Sequence, residues 1–90
     1  MSKYTKGPWF VQDDCSEGLF RIRAKGRSDG LSICGRLPDA FLIAASPELL
    51  EACEKANAVF HAKSAKEEQA LRYELIGVLE KAIAKAKGRL

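Results

Sequence analysis

The chain reads as an α+β domain: a three-stranded antiparallel sheet packed on a C-terminal antiparallel helical hairpin, with a short leading helix. Three observations predict it. After Leu19, which breaks the pattern, residues 20–25 alternate apolar and cationic side chains, the period of a half-buried strand. An Asp29-Gly30 turn signal separates that run from the next. From residue 38 onward the apolar spacing becomes three and four, the period of a helix with one buried face. Strands first and helices after is an α+β order. Ninety residues suit a single domain over 1–90, with a β-meander at 7–37 and a helical part at 38–90.

The first strand follows Gly7-Pro8 and runs from Trp9 to Gln12. Residues 13–18 are polar or glycine and form a turn or loop. In the second strand Phe20, Ile22 and Ala24 share one face, and Arg21, Arg23 and Lys25 share the other. The hairpin loop at 26–30 returns the chain into a third strand, Leu31 to Gly35, with Leu31 and Ile33 toward the core. A sheet of this size needs a helical cover to be stable.

Two helix starts stand in tandem at 38–53. Asp39 is suited to cap a short helix ending near Ala45. Ser46 is suited to cap the next, with Pro47 at its first position and Glu48 in its first turn. Leu49, Leu50, Cys53, Ala56, Asn57 and Phe60 mark the stripe of this second helix, which ends near Lys63. Ser64 and Glu67 have capping-box spacing and open a third. Its stripe is Leu71, Leu75, Val78, Leu79, Ala82, Ile83 and Ala86, over about six turns. Gly77 interrupts it, which suits a close helix contact, and Gly88 supplies a stop. The short link between the second and third helices makes them an antiparallel pair.

Composition narrows the function classes. The chain is 47% hydrophobic and 30% charged. Its longest apolar run, 40–45, is far below the ~20 residues of a membrane span. The first residues lack the apolar stretch of a secretory signal. Cys15, Cys34 and Cys53 are odd in number and contain no C-x-x-C pair, which argues against a disulfide framework or a zinc site. They fit a reducing cytoplasm, with Cys15 in a polar loop the most reactive candidate. His61, the single histidine, has no partner pattern for metal binding or base catalysis and reads as a helix-end residue. The glycines form no phosphate-cradling loop. Glu67, Glu68 and Glu74 read as solvated partners of basic neighbours, such as Glu68 with Arg72. No catalytic residue, metal or cofactor is expected, and the chain is read as a non-enzyme.

The formal charge is +3, and the excess lies in residues 1–38, with seven Lys/Arg against four Asp/Glu. Arg21, Arg23, Lys25 and Arg27 form its densest cluster and are the candidate partner-binding residues. On an extended strand, alternate side chains stand about 7 Å apart. That spacing suits an acidic protein surface or successive phosphates, and Lys3, Lys6 and Arg36 can extend it. The plain alternative is a solvated face that discourages edge pairing. Trp9 reads as the anchor between sheet and helices. At the other end, Lys81, Lys85 and Arg89 complement the dipole of the last helix. Its long apolar stripe points to a homodimer through that helix.

Thr5-Lys6-Gly7-Pro8-Trp9 and the run from Ala40 to Ala52, AFLIAASPELLEA, resemble a family of small proteins from tailed phages and prophages. The corresponding family run reads like N-A-x-L-I-A-A-A-P-E-L-L-E-A-L. This chain departs from it at Asp39, Ser46 and Cys53. The resemblance covers about residues 5–60. It implies a phage accessory protein in the bacterial host cytoplasm, and no general activity attaches to it. The expectation is a non-enzymatic protein that binds an acidic surface of a host protein and modulates it, the host protein being for instance a component of a defence system. The alternatives are a nucleic-acid binder using the same strand face and a small anionic-ligand binder acting as a dimer.

Overall fold

A computed structural model describes residues 4–14, 18–27 and 30–88. The elements are β1 (Trp9–Asp14), β2 (Leu19–Ala24), β3 (Gly30–Cys34), α1 (Leu37–Ala44), α2 (Ser46–Phe60) and α3 (Ala65–Ala86). The sheet is antiparallel in the order β1-β2-β3, so the fold class is the expected one.

Register divides the sheet into two faces. Trp9 pairs with Ala24 and Val11 with Ile22, which puts these four on the inner face. Phe10 pairs with Arg23 and Gln12 with Arg21, on the outer face. Ile22 is the one large side chain that is fully buried among the described residues. It forms the core with Ala40 and Ala44 of α1, and Trp9, Val11, Phe20, Leu31 and Ile43 pack around it. The indole N–H of Trp9 donates to the Thr5 carbonyl at 3.1 Å. Trp9 is thus the anchor its position suggested.

In β3, Ile22 faces Ser32 while the next residue, Arg23, faces Gly30. Leu31 is the extra residue of a β-bulge. Because side chains alternate with a period of two, one extra residue reverses the parity of everything beyond it. Leu31 still packs on the core, but Ile33 is carried to the outer face beside Arg21, where it is 57% exposed. The strict alternation expected for Leu31 and Ile33 therefore fails. Gly35 is exposed as well.

The two tandem helix starts are built differently from their caps in sequence. α1 begins at Leu37, with Pro38 in its first turn, so Asp39 lies inside the helix and is not its cap. Arg36 occupies the cap position and lies 3.9 Å from the Asp39 carboxylate. Ser46 is already the first residue of α2, and its side chain makes no cap bond. Ala45 serves as C-cap of α1 and N-cap of α2 with φ −84° and ψ −1°. The amide of Leu49 donates to the Ala45 carbonyl at 2.9 Å. Pro47 needs no donor in a first turn, so the chain bends at Ala45 without leaving a helical conformation.

The third helix follows its signals. The Glu67 amide donates to Ser64 Oγ at 3.1 Å, and the Glu67 carboxylate receives the Lys63 amide at 3.4 Å. Gly88 stops the helix with φ +72°, a conformation that favours glycine. Gly77 is exposed with no neighbour near the position of a Cβ, so it serves no close helix contact.

α2 and α3 pair antiparallel. Their shared interior is made of small residues, with Ala52, Val59 and Ala82 buried. Leu49, Ala56, Leu71, Leu75 and Val78 are half-buried along the same seam. Lys55 Nζ reaches Glu74 Oε2 at 2.8 Å, and Lys85 Nζ reaches Glu48 Oε2 at 3.0 Å. Of the helices, α1 is the one in contact with all three strands, and it also packs on α3. The short leading helix thus links the two layers.

Candidate functional site

The cationic residues expected to carry binding fall into two groups. Arg21 and Arg23 lie on the outer face of β2 and are half-buried. Because β2 is central, a role in discouraging edge pairing does not apply to them. Lys25 and Arg27 follow the strand, on either side of Gly26 with its φ of +83°, and are exposed. The Lys25 amide donates to the Pro8 carbonyl at 3.0 Å, and the Arg27 amide to Ala24 at 3.1 Å. These bonds tie the turn to the start of β1 and the end of β2. Arg21, Arg23 and Arg27 each have a further interaction within the chain.

Register adds apolar neighbours that the alternation of β2 alone did not reveal. Phe10, 45% exposed, stands opposite Arg23, and Ile33 stands opposite Arg21. Gly30 lets Arg21 fold down across β3: a Cβ there would come within 3.1 Å of Arg21 Cδ. A shallow hollow of about 330 Å³ lies at this point, lined by Arg21, Gly30, Leu31, Ser32 and Ile33. The face thus combines two guanidinium stems with an exposed aromatic and an exposed aliphatic side chain. Phe10 follows from the first strand's own alternation once its register is known. Ile33 depends on the bulge, which no local signal announces.

The other basic residues do not join this face. Lys6 lines a groove of about 410 Å³ against α2, together with Tyr4, Pro8, Glu48, Glu51 and Glu54. Arg36 is engaged at the start of α1. Lys3, Cys15 and Arg89 lie outside the described residues. Lys85 is more than a complement to its helix dipole, since its side chain is mostly buried and its ammonium lies 3.0 Å from Glu48 Oε2.

His61 is exposed at the C-terminal cap of α2, and Cys53 is free and exposed. Among the described residues no group of three or more His, Cys, Asp or Glu side chains could hold a metal ion. The hydrogen bond that Lys55 donates to the Glu74 carboxylate raises the lysine's pKa, as do the negative charges of Glu74 and Glu51. Glu68 accepts from Arg72 at 3.1 Å, the expected i,i+4 pair. Among the described residues no helix is long and apolar enough to cross a membrane.

The family described as Salmonella phage P22 protein Y8K6 matches residues 1–90. No curated protein and no solved structure matches the chain. The chain belongs to this phage protein family, so the expected phage origin holds.

Proposed function

We propose that this member of the Salmonella phage P22 protein Y8K6 family is a non-enzymatic accessory protein that binds an acidic surface of a host protein. The site is Arg21, Arg23, Lys25 and Arg27, with Phe10 and Ile33 as apolar contacts. The setting is the bacterial host cytoplasm, and the target class is a component of a host defence system, for which the phage family is the support. The observation that carries the reading is the mixed outer face of the sheet. Exposed apolar side chains flanking Arg21 and Arg23 give the composition of a protein-binding surface, where aromatic residues and arginine are enriched.

The test compares tagged wild-type protein with the Arg21→Glu/Arg23→Glu/Lys25→Glu/Arg27→Glu variant as bait in bacterial lysate, at low and moderate salt. The expected result is one host protein retained by the wild type at moderate salt and lost from the variant. Equal retention by both removes the site. Bound nucleic acid that washes off steeply with salt replaces the host protein with a nucleic-acid partner, since neutralised phosphates release counterions. Lys25→Glu/Arg27→Glu changes only exposed positions and gives a milder second variant, with folding of both checked by circular dichroism.

A further inference from the structure

The helical hairpin carries a second surface, independent of the cationic sheet face. On α2, Leu50, Cys53, Asn57 and Phe60 follow one another at three and four residues and are all exposed. On α3, Ile76, Leu79 and Ile83 do the same. At 100° per residue, these runs lie to one side of the buried seam through Ala52 and Val59 on α2 and through Ala82 on α3. Glu48 and Lys55 lie to the other side of the α2 seam, and Glu74 and Lys85 to the other side of the α3 seam. The two ion pairs Lys55–Glu74 and Glu48–Lys85 show that these charged sides adjoin. The two apolar runs therefore adjoin as well, on the opposite face of the hairpin. That face includes Phe60 at 85% exposure, Ile76 at 54% and Ile83 at 45%.

We propose that this face is the contact surface for a second copy of the chain, with two hairpins meeting about a two-fold axis as a four-helix bundle. Three features favour a copy over another partner. The first is area. The chain exposes 6639 Å², where a compact monomer of 9.9 kDa exposes about 5,200 Å². Taken over the whole chain, the excess of about 1,400 Å² leaves room for the ~800 Å² that one partner contributes to a standard interface. The radius of gyration of 15.5 Å, against about 12 Å for a compact chain of this length, shows the same excess as shape. The second is spacing. Runs at three and four residues on both members of an antiparallel pair are what interlocking helices of a bundle require. The third is charge. The seven run positions carry no formal charge, and Arg72, one turn before Ile76 on the same side, is neutralised by Glu68, so like meets like without net repulsion.

The test is the mass in solution, measured by sedimentation velocity over a dilution series. The intact chain is expected to sediment at twice 9.9 kDa. Ile76→Glu/Ile83→Glu changes two exposed positions and is expected to halve that mass while keeping the helical circular dichroism. Lys25→Glu/Arg27→Glu, on the sheet side, is expected to leave the dimer intact. A monomeric wild type at every concentration overturns the proposal. So does a dimer that persists in the Ile76→Glu/Ile83→Glu variant, or one that is lost in the sheet-side variant alone. The outcome does not depend on whether a host protein is captured.

Discussion

The sheet with α1 and the α2–α3 hairpin solve the problem of a small core in opposite ways. In the first layer a large side chain, Ile22, is sealed between the sheet and two alanines of α1, with an indole at the rim. In the second layer the buried residues are Ala52, Val59 and Ala82, leucines are only half-buried along the seam, and Phe60, Ile76 and Ile83 stand outside. Alanine lets two helices approach closely but buries little apolar area per contact, and the hydrophobic contribution scales with that area. The sheet layer can therefore be held within one chain. The hairpin leaves Phe60, Ile76 and Ile83 exposed.

The comparison can be broken at its strongest point first. Ile22→Ala is expected to destabilise the fold by about 2–5 kcal/mol, the range for an aliphatic side chain lost from a packed core. That is a large share of the ~5–15 kcal/mol available to a small domain. Urea unfolding would show it as a lower midpoint, and a change of under about 0.5 kcal/mol would mean that the sheet layer is not the main core. Gly88→Ala comes next. The left-handed φ costs a non-glycine residue roughly 1–2 kcal/mol. A methyl there would also stand 2.5 Å from the Phe41 ring, so the end of α3 must shift away from α1. The expected result is loss of stability together with faster amide exchange in the last turn of α3. Unchanged exchange would show that the layers are not coupled at that point.

Smaller effects sharpen the picture of the hairpin. Ser64→Ala removes the oxygen that accepts from the Glu67 amide and is expected to cost about 1 kcal/mol. Thermal unfolding measures this, and an unchanged midpoint would mean that the start of α3 frays before the fold does. The smallest effect is electrostatic. Lys55 has a raised pKa in the folded chain, so its pairing with Glu74 is fully present below the ordinary lysine value of about 10.4 and fades as pH rises through the folded value. Stability should therefore fall slightly more steeply above about pH 10.4 in the wild type than in Lys55→Gln. Parallel slopes would remove the pair from the account.

Much of the architecture is legible one segment at a time. The alternation of 20–25 places Ile22 inward and Arg21 and Arg23 outward, and the structure keeps both assignments. Ser64 with Glu67 and Gly88 mark the ends of α3 because capping and left-handed stops are satisfied by neighbouring backbone. The stripe of α2 is less legible. Leu50, Cys53, Asn57 and Phe60 have helical spacing, as do Leu49, Ala52, Ala56 and Val59, and spacing alone does not say which of two adjacent runs faces the partner helix. Ile33 is a comparable case on the sheet, where the bulge at Leu31 decides its face.

By itself, the sequence determined the element order, the antiparallel sheet, the tandem helices and the cationic side of β2. Each follows from a local period or a backbone group satisfied within a few residues. The meeting of distant segments decides that α1 covers the sheet, that Phe10 and Ile33 flank the arginines, and that the hairpin buries only Ala52, Val59 and Ala82 while Phe60, Ile76 and Ile83 stay exposed. Those outcomes depend on register and on how closely two surfaces can approach, which are set between segments distant in the chain.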